Sequence, residues 1–428
     1  MNRLAICVPT YNRSEMIDEM LIRCAKLYQK KEIDVYFYDS SEDEKTKQII
    51  NHYGLIYKNL YYRKLPSTTH SNIKVLNIYE EFAKEKKYDY LSICPDYMQF
   101  SLAGINIMER ECEKGFELCV LNFHDVEHIG KKYYTDMNEF FLDCAWQMTC
   151  YVSTVVYLPF LEDTDWDYIR RRYTIPERIN HSHVALFFEQ LSGKEKVKAV
   201  HVPVTLKHIS SSSYRKDSYW KEDTFSVWCE YWPAMIQALP KCYQNKNQVI
   251  RKLGINSKIL SLDNYVRLRK EGIYNQTIYK KYHLQWRNLT DVPRGLLWLV
   301  AVVPSDKVWI FSLQEQKQRV IKRKLIQYCK KHKNIYIYGC GFIAKKVSDL
   351  LDKLQIKYCA YIVSDTSNEK SQYNGLEIIS CHDFCKKVKN AGVILALRKE
   401  NALQVMREKH ELKNYALFYM GEYADVLD

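Results

Sequence analysis

The sequence predicts an α/β protein: a mostly parallel sheet in the first part of the chain, a helical stretch behind it, and a second, smaller α/β unit at the end. Three observations lead there. Strand-type and helix-type runs alternate from residue 4 to about residue 125, the alternation lapses from about 215 to 333, and it resumes at 334. Strands that alternate with helices need crossover connections, which give parallel strands covered on both faces. The chain has 428 residues, more than the roughly 100 to 200 expected of one domain. The expected division is 1–214, 215–333 and 334–428.

LAICV at 4–8 is the first strand, and Ser14 caps a helix with Ile17, Leu21 and Cys24 on one face. DVYFYD at 34–39 and NLYYRKL at 59–65 follow as strands. A helix from about Asn72 to Lys86 turns Ile73, Leu76, Tyr79 and Phe82 or Ala83 inward, and it leads to the strands in YLSICPDY and ELCVLNF. Residues from 125 to about 210 are less regular, with a helix over HSHVALFFEQL at 181–191 and a strand within KVKAVHVPVTLKH. The last unit reads NIYIYG, helix, KYCAYIVSD, helix, GVILAL, helix, YALFYM.

Composition narrows the function classes. Hydrophobic residues make up 47% and there are 35 Tyr, which excludes a disordered chain. The 14 Cys form no CxxC pair, so neither a zinc knuckle nor a secreted disulfide framework is expected, and a reducing cytoplasm fits best. The start, MNRLAICVPTYNR, enters a strand directly and lacks the pattern of a signal peptide. The longest apolar run, GLLWLVAVV at 295–303, is short of the ~20 residues that span a bilayer. Of the net charge of +13, residues 311–333 supply +7, from eight Lys or Arg and one Glu. That window is either the solvated face of a helix with Ile321, Leu325 and Tyr328 inside, or a stripe that meets anionic lipid at the inner face of a membrane. No recognition-helix, RNP or finger pattern accompanies it, so nucleic acid is not an expected partner.

The chemistry gathers where strands end. The first strand runs out into Pro9, Thr10, Tyr11, Asn12 and Arg13, the second into Asp39, Ser40 and Ser41, and a later one into Pro95, Asp96 and Tyr97. Ligands of open parallel sheets bind beyond the carboxyl ends of strands. VPTYNR followed by YDSSEDE resembles the opening of the family 2 glycosyltransferases of GT-A fold, over roughly residues 1–210.

The resemblance implies a nucleotide-sugar donor, UDP foremost, and a glycan or lipid-linked oligosaccharide acceptor in bacterial capsule, wall or lipid-linked polysaccharide assembly. It places Pro9, Tyr11 and Asn12 by the nucleoside and Asp39 in contact with base or ribose. Tyr38 and Ser40 depart from the family's Asp-Asp-Gly loop. Asp96 stands in the acidic metal motif, reduced here to one carboxylate, and implies manganese or magnesium with His208 as a further ligand. The competing arrangement neutralises the diphosphate with Lys74 and Arg215. The family's catalytic Asp has no counterpart at the head of the 181–191 helix, so His183 or His181 is the candidate base, with Asp163 or Asp165 as the alternative. A catalytically inactive domain serving as an assembly platform is the rival reading.

The last unit carries Gly339, Cys340, Gly341 and Ala344 between a strand and a helix, with Asp365 further on. This resembles the small Rossmann-like modules of sugar-modifying enzymes. At under 100 residues it is expected to serve interaction, as in a homo-oligomer, in preference to nucleotide binding.

Overall fold

β1 (Leu4–Thr10), β2 (Asp34–Asp39), β3 (Leu60–Lys64) and β4 (Tyr90–Ile93) lie in parallel in the order β3-β2-β1-β4. The crossovers are α1 (Ser14–Lys30), α2 (Lys45–Gly54) and α3 (Ser71–Glu85). The computed structural model describes residues 3–122, 130–176, 178, 180–203, 224–364 and 372–421, and the backbone alone at 207–208. Each helix docks by an apolar stripe at three- and four-residue spacing: Ile17, Met20, Leu21, Cys24 and Tyr28 in α1, and Val75, Leu76, Ile78, Tyr79 and Phe82 in α3. Strand order reverses between β1 and β4, and in open sheets of this kind the crevice that takes ligands lies at such a point, here beyond Thr10 and Ile93.

Beyond β4 the sheet is mixed. After β5 (Met98–Gln99), α4 (Leu102–Cys112), β6 (Leu118–Leu121), β7 (Lys132–Tyr134) and α5 (Met137–Cys144), the chain enters β8 (Thr154–Tyr157). β8 runs antiparallel between β4 and β6. The sequence reading had no strand there, because TVVY is too short to show a period and no turn pair marks it. The antiparallel direction has a consequence for the site. Residues entering β8, through the short helical turns Gln147–Thr149 and Tyr151–Ser153, lie at the carboxyl edge of β4, and residues leaving it lie at the opposite edge.

α6 (Trp166–Tyr173), α7 (Ser182–Leu191) and β9 (Ala199–Val202) complete the sheet, and β10 (Lys207–His208) pairs with β5. Helix α8 (Thr224–Ser226), a π-helical segment (Val227–Tyr231) and α9 (Trp232–Ala238) follow. After them come α10 (Lys246–Asn256), α11 (Leu262–Lys270), α12 (Gln276–Tyr282) and α13 (Arg294–Val302). No described helix is long and apolar enough to cross a membrane.

The chain divides into two compact units, Met1–Val302 and Val303–Asp428. The helices up to Val302 thus belong with the large sheet, while α14 (Leu313–Lys331) belongs with the second unit. Its Ile321, Leu325 and Cys329 share one core with Ile335 and Ile337 of β11 (Ile335–Tyr338) and with Ala344 and Val347 of α15 (Phe342–Lys353). The basic residues of α14 are on its exposed side. The sheet continues with β12 (Tyr361–Val363), β13 (Gln372–Tyr373), β14 (Leu376–Ser380), β15 (Gly392–Leu395) and β16 (Ala416–Tyr419), and its parallel order is β14-β12-β11-β15-β16. Gly339 has φ +111°, and a Cβ there would stand 3.0 Å from the Ala396 carbonyl oxygen, so the turn after β11 requires glycine. Asp365 lies outside the described residues.

A fragment 303–428 is expected to unfold cooperatively in circular dichroism, whereas 334–428, stripped of α14, leaves Ile335 and Ile337 uncovered and aggregates. Within the full chain, Leu325→Ala is expected to cost about 2 to 5 kcal/mol, as core truncations do. A soluble, cooperatively melting 334–428 fragment contradicts this account of the second core.

Candidate active site

The turn after β1 organises the carboxyl edge. Arg13 is the cap residue of α1: its carbonyl accepts from Met16 N at 3.0 Å and Ile17 N at 3.2 Å, and Ser14 is the first helical residue rather than the cap. Asn12 adopts φ 52°, a left-handed conformation that asparagine tolerates better than most residues. In that conformation its amide donates to Ser41 Oγ at 2.7 Å and its Oδ1 accepts from Glu42 N at 3.1 Å. The Tyr11 hydroxyl reaches Glu42 at 3.3 Å. The two motifs that stand out in the sequence are thus clamped to each other, loop against loop.

Asp39 ends β2 and is fully buried. Its Oδ1 accepts from Ser41 N at 2.8 Å and its Oδ2 from the Tyr62 hydroxyl at 2.9 Å. Burial, and then the bond to Asp39, push the Tyr62 phenol up, so it stays a proton donor. The sequence reading does not include Tyr62. Tyr62 sits in an aromatic strand run where nothing singles it out.

Lys74, on the first turn of α3, is only 3% exposed. Its Nζ donates to the Thr10 carbonyl at 2.8 Å and to Ser40 Oγ at 2.6 Å. Burial lowers its pKa to about 8, against the upward pull of Asp39 and Asp96. The ammonium is therefore turned inward, binding the two loops together, and not toward solvent.

Asp96 is buried beyond β4. Its Oδ2 accepts from Thr10 Oγ1 at 2.9 Å, and its Oδ1 meets Arg13 Nη1 at 3.1 Å. Burial pushes its pKa up, while Arg13, Thr10 and Lys74 pull it back. Among the described residues around Asp96 the groups do not fit a divalent cation: one carboxylate is present, with one oxygen bonded by a hydroxyl donor and the other by a guanidinium. Among the described residues no group of three or more His, Cys, Asp or Glu is placed to hold a metal. The register of β5 and β10 sets the His208 backbone opposite Met98, two residues past Asp96; the His208 side chain and the whole of Arg215 lie outside the described residues.

The structure separates the four candidate bases. Asp163 and Asp165 follow β8, on the side where Leu158 N bonds the Asp89 carbonyl and Lys86, past the end of α3, bonds Glu162. That is the amino edge of β4, opposite to Asp96, and Asp165 there caps α6 by accepting from Tyr168 N at 2.8 Å. The antiparallel course of β8 carries them away from the crevice. His181 and His183 stand at the carboxyl edge. His181 N donates to Asn72 Oδ1 at 3.1 Å, which fixes the head of α7 to the head of α3. His181 Nδ1 lies 3.1 Å from the Thr149 carbonyl and His183 Nε2 lies 2.8 Å from the Met148 carbonyl. A carbonyl only accepts, so those nitrogens carry the protons, and His181 Nε2 and His183 Nδ1 carry lone pairs that have no hydrogen-bond partner among the described residues. His181 stacks on Trp228 of the π-helical segment at 5.2 Å between ring centres, a contact that has no signal in the sequence.

No protein family and no curated protein matches the chain. Among solved structures it is similar to residues 1–349 of S. aureus TarS in complex with UDP-GlcNAc, at 14% identity over 74% of this chain and 92% of that one, with a TM-score of 0.40. It is similar also to the mannosyltransferase PcManGT from Pyrobaculum calidifontis in complex with GDP-Man and Mn2+, at 12% identity over 82% and 88% of the two chains, TM-score 0.40. A third is glucosyl-3-phosphoglycerate synthase from Mycobacterium tuberculosis, at 9% identity over 56% and 80%, TM-score 0.34.

Burial lowers the pKa of His181 to about 3, with the neighbouring His183 adding to the effect, and that of His183 to about 4. The unfolded chain protonates both near ~6.5, so below that pH it takes up protons that the folded chain refuses, and stability falls by about 1.4 kcal/mol per pH unit and group. From about pH 7.5 to about pH 5.5, denaturant unfolding is expected to show the wild type losing roughly 2 to 3 kcal/mol more than the His181→Asn/His183→Gln double variant. Equal losses in the two proteins show that the imidazoles titrate as they do in water.

Proposed function

We propose that the Met1–Val302 unit transfers a sugar from a nucleoside-diphosphate donor, UDP foremost, to a hydroxyl of a glycan or lipid-linked acceptor in surface-polysaccharide assembly, with inversion at the anomeric carbon. The observation that carries this reading is the convergence, at the carboxyl edge of β1 and β4 where the order of the large sheet reverses, of Arg13, Asp39, Lys74, Asp96 and His181. The amino ends of α1 and α3 begin at the same edge, and helix amino ends favour anions.

The chemistry follows from the sides of the crevice. Asp39, held by Tyr62 and Ser41, shapes the wall at the end of β2 against which the nucleoside lies. The bond from the anomeric carbon to the diphosphate oxygen breaks with its electron pair leaving on the diphosphate. The acceptor oxygen bonds to the opposite face of that carbon, and its proton passes to His181 Nε2. A buried imidazole with a conjugate acid near 3 is a weak base in the resting protein, yet it is neutral at every pH of interest. Its readiness to accept therefore does not change across neutral pH.

Asp39→Asn keeps the size and the contact with Ser41 N but removes the charge, and calorimetry is expected to show UDP affinity reduced by about tenfold or more. Unchanged affinity in the folded variant places the donor elsewhere. For His181→Ala the expected result is a transfer rate lower by roughly 10² to 10⁴ with UDP affinity retained, and for the wild type a rate without a histidine-type inflection between about pH 5 and pH 8. Full activity of His181→Ala removes the imidazole from the mechanism.

A further inference from the structure

We infer that Arg13, steered by Asp96, is the cation that meets the donor diphosphate, in the position where a divalent metal bound to Asp96 would otherwise stand. The inference rests on the donor-site reading above and goes beyond it in naming the group that takes the phosphate charge.

The first support is layering. The Asp96 side chain is 4% exposed and the Arg13 side chain 26%, so Arg13 is the more accessible member of the pair to an anion entering from solvent. A metal bridging Asp96 to phosphate requires the reverse order, with the carboxylate facing the entering ligand. The second support is competition. Thr10 Oγ1 holds one Asp96 oxygen at 2.9 Å and Arg13 Nη1 holds the other at 3.1 Å, so an entering cation meets a like-charged group that is already in place. The third is charge balance. Asp39 and Asp96 face Lys74 and Arg13 around the same turn, two charges of each sign, and Lys74 is turned inward onto Thr10 and Ser40. With both carboxylates already compensated, the cluster offers a dication no net attraction.

Arg13 is also fixed at its base. Its carbonyl starts α1 and the preceding Asn12 is locked to the β2 loop, so the side chain leaves the backbone from a defined point. Asp96 then sets the plane of the guanidinium, whose fork geometry suits paired phosphate oxygens. Asp96 is by this account a positioning residue, and the preorganised cation is the group that stabilises charge developing on the departing diphosphate.

Isothermal titration of the full chain with UDP, in EDTA and in manganese, decides the matter, with uridine as the phosphate-free probe. The expected result is UDP binding in EDTA within about twofold of that in manganese, weakened about tenfold or more by Arg13→Gln with uridine binding unchanged. Asp96→Asn, which releases the guanidinium, is expected to weaken UDP by a smaller factor that manganese does not restore. Should Arg13→Gln melt at low temperature because Asp96 is left without its cation, the Arg13→Gln/Asp96→Asn pair restores neutrality and is expected to bind uridine but not UDP tightly. UDP binding that appears only with manganese and vanishes in Asp96→Asn overturns the inference and leaves the donor site standing. Absence of UDP and GDP binding under both conditions overturns the inference and the donor-site reading together.

Discussion

A charged ammonium sealed inside the turn region of a sheet sets the terms for everything around it. Lys74 is buried beneath the loops that end β1 and β2, and a buried charge costs several kcal/mol unless it is paired and hydrogen-bonded. The protein meets that requirement with the Thr10 carbonyl, Ser40 Oγ and two flanking carboxylates, Asp39 and Asp96. These groups stand at the ends of three strands: Thr10 at β1, Asp39 and Ser40 at β2, and Asp96 beyond β4. The ammonium consequently ties α3 to β1 and β2 and orients the carboxylates on either side of it. Movement of the β1 turn alone breaks the bond to Thr10, which also holds Asp96, so the crevice behaves as one unit.

The second constraint is directional. An antiparallel β8 beside parallel β4 sends the chain into the sheet at the carboxyl edge and out at the amino edge. The Met148 and Thr149 carbonyls therefore arrive beside His183 and His181, while Asp163 and Asp165 depart on the other side. Carbonyls facing the imidazoles fix their tautomers, and burial fixes their charge at zero. The same burial that makes the histidines poor proton acceptors in the resting chain makes them a source of acid sensitivity.

In the Val303–Asp428 unit, the strongly basic stretch is a helix with two faces. Ile321, Leu325 and Cys329 complete a core with β11 and α15, and the lysines and arginines stay outside it. Charge density here accompanies an amphipathic packing element, which is enough to account for the net positive charge of the window. The parallel strand order and the strained Gly339 turn belong to the same doubly wound logic as the larger sheet.

The sequence by itself determined the alternation of strands and helices, the strand-end motifs, and the identity of most of the residues that meet at the crevice, because period and turn chemistry are local. VPTYNR and YDSSEDE lie about thirty residues apart, and the bonds of Asn12 to Ser41 and Glu42 join them as their place at adjacent strand ends implies. The direction in which Lys74 points, the pairing of Arg13 with Asp96 and the edge to which Asp163 and Asp165 are carried were decided by tertiary structure. Those contacts connect segments 64 to 86 residues apart, and they depend on strand order and on the antiparallel run of a four-residue strand with no pattern of its own. Protonation followed the same rule: a histidine in a sequence has its ordinary affinity for protons, and at His181 the surrounding Trp228 and Trp232, by excluding water, and the neighbouring His183 lowered it against the opposing pull of the Thr149 carbonyl.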